Sequence, residues 1–385
     1  IGTIKFRIKN RNKNNKILKT ISVGSDFSGI GAFDFAINRV AEQKGFKVQN
    51  VFACDWDKFA RQSYLANHNA PEYYPHDVYE RDVPEQPLDV YMTSPPCQGL
   101  SLGGSRKSKD EDKRNILFYN SHEFIKINKP RYFVIENVTG LMSHENGNTF
   151  QEWINLLGGK SVNGSPVLFP HDDSVPYHIY HGILNTKKIA NIPQNRERVF
   201  IIGIRDDDDN NFKFPVGQPL TIKLVDLLES NVDEKYFLSD KRVRYLMRGK
   251  ANKDILHKDI PDVSRTCIAS YYKSPNDCTY IRIHSAKKQG FELAREGDSI
   301  NFSHLGSNTK RGRVGHEVSQ TIDCHVTLAV YLNKMIRRLT PRECFRLQGF
   351  EDSFKFVVSD SQLYKQAGNS ITIDVLEKIL ERLNF

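Results

Sequence analysis

The sequence predicts an α/β fold: a largely parallel sheet covered by helices on both faces, joined to a smaller, irregular, mostly β domain. Strand-length apolar runs alternate with helical patterns from Ile17 to Arg205, and parallel strands need such crossovers on their faces. Asp26, Asp55, Cys97 and Glu136 each end or immediately follow a strand-like run, which is where ligands gather in open α/β sheets. From about residue 226 to 335 the alternation is lost. Short strand-like segments such as CTYIRIHSA and SQTIDCHVTLAVYL there stand between polar stretches.

Residues 1–16, IGTIKFRIKNRNKNNK, are basic and polar and read as an N-terminal arm. Residues 17–45 read strand, glycine turn, helix, with Gly45 as the stop. KVQNVFACDWDKFARQSYLANH repeats that unit with an acidic turn. LDVYMTSPP is a third strand cut off by prolines, and RYFVIENV a fourth. YHIYHGILNT and RVFIIGIR lie close together and suggest an antiparallel pair. DDDDNN, at 206–211, reads as a solvated loop. LTPRECFRLQGF returns to helix, with Thr340 as cap, Pro341 in the first turn and Gly349 as stop. AGNSITIDVLEKILERL reads as one amphipathic closing helix. Residues 158–176 stand out as an insertion without a role.

With 385 residues, 39% hydrophobic and 26% charged, the composition is that of a globular protein of about two domains. No apolar run approaches the ~20 residues of a membrane span, and no secretory signal is visible in a chain that begins at Ile1. Lys+Arg outnumber Asp+Glu, 55 to 46, for a net charge of +9. That surplus favours a polyanionic partner, nucleic acid first. None of the six cysteines forms a C-x-x-C pair, so no metal site is expected and the cysteines suit a reducing, cytoplasmic setting.

Pro95-Pro96 force a rigid approach to Cys97, whose thiol is either a nucleophile on a stiff post or a small buried hydrophobe. In DFSGIG, Gly29 and Gly31 let backbone approach a ligand at a helix N-terminus. The full G-x-G-x-x-G pattern is absent, since residue 34 is Asp. Asp55 can take two ribose hydroxyls and Trp56 can cover an adenine, so an adenosine-containing cofactor is expected. Glu136 leaves an apolar strand partly desolvated, which raises its pKa. Arg196 and Arg198 alternate, so one could brace Glu136 and the other a substrate oxygen; a structural ion pair competes for either.

Taken in order, FSGIG, SPPCQGLS, ENV, QNRERVFIIG, RRLTPRECFRLQGF and QAGNSITIDVLEKI resemble the DNA (cytosine-5)-methyltransferase family of the prokaryotic restriction-modification type, from about Ser25 to the C-terminus. The resemblance implies a Rossmann-like, S-adenosylmethionine-dependent methyltransferase sheet at 17–225 and 357–385, with a target-recognition domain and hinge at 226–356. It implies Cys97 as nucleophile, Glu136 as partner of the base, Arg196 on the cytosine carbonyl oxygen and Arg198 in support of Glu136. It places S-adenosylmethionine against Phe27, Gly29, Ile30, Gly31, Asp55, Trp56, Asp77, Pro95, Leu117, Asn369 and Ser370. DNA contacts are expected from Gln98, Ser101, Arg106, Arg114, Arg311, Arg313 and Thr321. The implied partner is double-stranded DNA, flipped out one cytosine at a time by a monomer. A cognate restriction endonuclease and a cytoplasmic, nucleoid-associated location in a bacterium or phage-infected host would accompany it. An RNA cytosine-5 methyltransferase of the transfer-RNA type and a catalytically silent DNA-binding relative are the alternatives.

Overall fold

The computed structural model describes residues 18–96, 115–239, 281–288, 290–303, 312–324, 327–332 and 335–385. Strand β1 (Thr20–Asp26) leads through a glycine turn into α1 (Ala32–Lys44). Gly45 ends α1 in the left-handed conformation, φ 74°, donating to the Ala41 carbonyl at 2.8 Å. β2 (Lys47–Cys54) and α2 (Lys58–Asn67) repeat the unit. β3 (Val90–Thr93), α3 (Asn115–Asn128) and β4 (Tyr132–Val138) follow, then α4 (Asn148–Leu157). After them come β5 (Ser161–Val162), β6 (Ser165–Pro166), β7 (His178–Asn185), the single turn α5 (Thr186–Ile189), β8 (Gln194–Asn195) and β9 (Glu197–Ile204).

The main sheet runs β2-β1-β3-β4-β9-β7-β5-β6. β2, β1, β3 and β4 are parallel, and β9 is antiparallel to β4 and β7. The chain steps outward from β1 to β2, then returns past β1 to β3. Such a reversal opens a crevice at the carboxyl ends of the strands. Both faces are covered. One core joins Ile21, α1, Val134 and Ile202 to Phe345 and Leu376, and the other holds Phe52, Tyr91, Phe133, Trp153 and Ile179. The 158–176 insertion extends the far edge as the β5–β6 hairpin, with β5 parallel to β7.

β10 (Ile281–His284) pairs with β11 (Phe291–Ala294). β12 (Ser299–Asn301), β13 (Val314–Gly315), β15 (Leu328–Leu332) and β16 (Met335–Arg338) make a four-stranded sheet over a small core of Leu238, Ile283, Ile300, Tyr331 and Ile336. β14 (Ser319–Gln320) leaves that sheet and pairs in parallel with β8. α6 (Pro341–Arg346), α7 (Asp360–Asn369) and α8 (Ile373–Leu380) close the chain. Thr340 caps α6 in a reciprocal box with Glu343.

Three expectations change. The closing segment is two helices: α7 stops at Asn369, Ser370 to Thr372 are extended, and α8 starts at Ile373. The aspartate run is a surface loop, as expected, but it is also a staple, because donors from several elements converge on it. Asp209 takes Arg131, Tyr132 and Asn384, while Asp207 takes Lys160 and His178. The core also ignores a boundary at 356: Leu339, Phe345, Phe350 and Phe354 pack in the main core, their rings about one another.

Candidate active site

The turn after β1 is built for close approach. Phe27, Gly29 and Gly31 all take positive φ, 56°, 57° and 82°, and a Cβ on Gly31 would stand 2.1 Å from Nε2 of His68. Asp55 then fixes the turn from the neighbouring strand. Its Oδ2 accepts from the Gly29 N–H at 2.8 Å and its Oδ1 from the Asp57 N–H at 2.8 Å. Burial pushes the Asp55 carboxyl up, against those two bonds, which pull it down. Next to it the Trp56 side chain is 85% exposed, a large apolar plane left to solvent beside a carboxylate. Ile30 is buried beneath the turn. Asp77 lies in a turn beyond α2, accepting from the Tyr79 N–H at 3.0 Å. Leu117 packs on the second core from the first turn of α3.

The turn rests on a buried ion pair that sequence reasoning missed. Asp26, 1% exposed, accepts from Arg81 Nε at 2.8 Å and from the Tyr91 hydroxyl at 2.6 Å. Arg81 lies over the Phe124 ring and donates to Asn120. Arg81 falls in a stretch without periodicity, so nothing in the sequence marked it as Asp26's partner.

Glu136 stands near the end of β4 and is 8% exposed. Register sets its partner: Val138 is opposite Arg198, so Arg198 on β9 is diagonal to Glu136 on the same face. Arg198 Nε meets Glu136 Oε1 at 3.0 Å. Burial raises the Glu136 pKa, and the charges of Arg198 and Arg196 oppose that rise. Beside Glu136, the Asn137 amide donates to the Pro95 carbonyl at 3.2 Å. The proline post is thereby held against the strand that carries the acid. Cys97, Gln98, Ser101, Arg106, Arg114 and Arg311 lie outside the described residues.

Arg196, 2% exposed, sits between β8 and β9. Its Nη1 donates to the Ile322 carbonyl at 3.1 Å, and its Nη2 to those of Gly368 and Ser370 at 3.2 and 2.7 Å. Expected on a substrate oxygen, it is occupied with backbone, and burial lowers its pKa. Asn369 and Ser370 lie at the break between α7 and α8, and the Cys324 thiol donates to Asn369 Oδ1 at 2.7 Å. Thr321 follows β14 and donates to the Asn195 carbonyl at 2.9 Å. Arg313 corrects an expectation. It is fully buried, and its Nη1 donates to the carbonyls of Asn301 and Ser303 at 3.1 and 2.8 Å, so it braces its own domain instead of presenting charge to a phosphate. Among the described residues, no three His, Cys, Asp or Glu gather as metal ligands, and no helix is long and apolar enough to cross a membrane.

Over residues 21–384 the chain matches the family described as C-5 cytosine-specific DNA methylase. It is 31% identical to the orphan methyltransferase M.SPRI of Bacillus phage SPR, across 94% of this chain and 97% of that protein. It is 30% identical to the type II methyltransferase M.Bsp6I of Bacillus sp. strain RFL6, across 94% and 98%. Among solved structures, the S. pombe Dnmt2 methyltransferase is similar in fold, with a TM-score of 0.54 at 18% identity over 94% of this chain and 98% of that one.

Proposed function

The chain belongs to the C-5 cytosine-specific DNA methylase family and is a DNA cytosine-5 methyltransferase, and from that premise we propose how its residues carry the reaction. The carbon-5 of cytosine is too weakly nucleophilic to be alkylated unaided. The Cys97 thiolate adds to carbon-6, which makes carbon-5 electron-rich. Glu136 hydrogen-bonds the ring nitrogen and exocyclic amine, and donates or shares a proton as charge accumulates. Its raised pKa suits that task, because desolvation keeps a proton on the carboxyl at higher pH than on an ordinary glutamate. Arg198, held on Glu136, keeps it oriented and limits how far its pKa rises. Once carbon-5 carries the methyl group, loss of its proton to solvent expels Cys97 as the thiolate and restores the ring.

S-adenosylmethionine, when bound, supplies the sulfonium methyl group. The turn Phe27–Gly31, the carboxylate of Asp55 and the open face of Trp56 fit an adenosine: a backbone cradle, a ribose acceptor and a ring to stack on. Asp77, Pro95, Leu117, Asn369 and Ser370 complete the proposed pocket. The substrate is a cytosine in duplex DNA. It is flipped out to reach Cys97, at a cost of a few kcal/mol offset by pocket contacts, and Thr321 faces the duplex.

The observation that carries this is the Glu136–Arg198 pair, set beside a proline post that Asn137 ties to the same strand. The test is a covalent trap. With duplex DNA containing 5-fluorocytosine and the methyl donor, the wild type should form a stable adduct, because fluorine cannot leave as a proton does. Cys97→Ser should form none while still binding the duplex. An adduct that persists in that variant overturns the assignment. Sequencing methylated cytosines in an expression host maps the site.

A further inference from the structure

Arg196 joins three pieces of chain far apart in sequence. From the β8–β9 junction its two terminal nitrogens reach Ile322 on one side and Gly368 and Ser370 on the other. The same two segments meet elsewhere without it. Cys324 donates to Asn369. A Cβ on Gly368 would lie 2.4 Å from the carbonyl carbon of Asp323, so this glycine lets the two backbones touch. Gln194 extends the seam, accepting from the Ile322 N–H at 3.1 Å and donating to the Leu347 carbonyl at 2.6 Å. Thr321 is bonded to Asn195, one residue before Arg196. A planar guanidinium can fork to carbonyls on both sides; an ammonium, a single compact charge, cannot hold the same spread.

We propose that Arg196 is a positioning residue that locks the end of α7, Gly368–Ser370, to the segment Thr321–Cys324, so that cofactor and DNA each tighten the binding of the other. This rests on the assignment, made above, of Asn369 and Ser370 to the cofactor and Thr321 to DNA. Either ligand alone orders one side of the bracket. With both sides fixed to one guanidinium, the second ligand finds its own side already ordered.

The test is calorimetric titration of S-adenosylhomocysteine into the full chain, with and without a short duplex carrying the mapped cytosine. In the wild type the duplex should lower the Kd of S-adenosylhomocysteine about 10-fold, and S-adenosylhomocysteine should tighten the duplex by the same factor. In Arg196→Lys that factor should fall below about 2-fold, with the Kd of S-adenosylhomocysteine alone changed by less than about 3-fold. Gly368→Ala, which wedges the seam while leaving the guanidinium in the chain, should weaken the coupling in the same way, as should the milder Cys324→Ala if the lysine variant does not fold. Wild-type protein that binds both ligands with no coupling overturns the proposal alone. So does a folded Arg196→Lys that keeps the full factor while turnover collapses, which would make Arg196 a substrate ligand. Wild-type protein that does not bind S-adenosylhomocysteine overturns the cofactor assignment and the proposal with it.

Discussion

Asp55→Asn is the sharpest perturbation of the turn proposed to hold the cofactor. Two backbone N–H groups, of Gly29 and Asp57, converge on the two different oxygens of this carboxylate, each at 2.8 Å. An asparagine offers one oxygen and one NH2, so one N–H must face another donor. A hydrogen bond to a charged group contributes ~1.5–3 kcal/mol, and a stranded buried donor costs a similar amount. Asp55 is only partly buried, so the lower end applies, about 2 kcal/mol. If the cofactor needs the turn as Asp55 holds it, that sum appears in binding: about a 30-fold rise in the Kd of S-adenosylhomocysteine at 1.4 kcal/mol per decade. Titration calorimetry reads it, with circular dichroism to show that the variant is folded. The pH dependence supplies a second signature. Burial holds the Asp55 pKa above the usual carboxylate value. Protonation removes the acceptor, so wild-type affinity should fall as pH drops through that raised pKa, and the variant should lack this limb. A folded Asp55→Asn whose Kd moves less than about 3-fold refutes the reasoning.

Arg198→Met removes the charge that holds the Glu136 pKa down, so the alkaline limb of the kcat/KM profile should move to higher pH; an unmoved limb separates Glu136 from that titration. Tyr91→Phe deletes the buried 2.6 Å bond to Asp26 and should lower the unfolding free energy by ~1–3 kcal/mol in urea titrations; no loss would show that the pair needs no third partner. Gly31→Ala faces both a φ of 82° and a 2.1 Å approach to His68. It should lose ~1–2 kcal/mol from the backbone alone, and a further loss in thermal melts that His68→Ala restores.

Local chemistry was legible in the sequence where it repeats or is capped. The strand–turn–helix units, the stop at Gly45 and the Thr340 cap all follow from nearest-neighbour physics, and the structure has them at those residues. Asp55 and Glu136 stood out as candidates because a polar group at the end of an apolar run is conspicuous. What the sequence withheld was pairing at a distance. No spacing rule links Asp26 to Arg81 or Arg196 to Gly368, and both links are contacts of the folded chain. Arg313 misled because a basic, glycine-containing stretch looks like a phosphate contact, whereas its side chain is needed inside. The break at Ser370 was hidden by apolar periodicity that continues across it, a pattern that reports which side is buried but not whether the backbone stays helical.

The seam between α1 and α8 has a bearing on synthesis. Arg39, Gln43 and Lys44 bond to Glu377 and the Leu383 carbonyl, with Arg39 and Glu377 separated by 338 positions. During translation, these α1 side chains therefore wait for partners that lie 334 to 339 positions further along the chain. A truncated product ending before Ile373 lacks those partners and should be cut faster in limited proteolysis than the chain that carries them. Supplying the missing terminal helix as a separate peptide should rescue such a fragment.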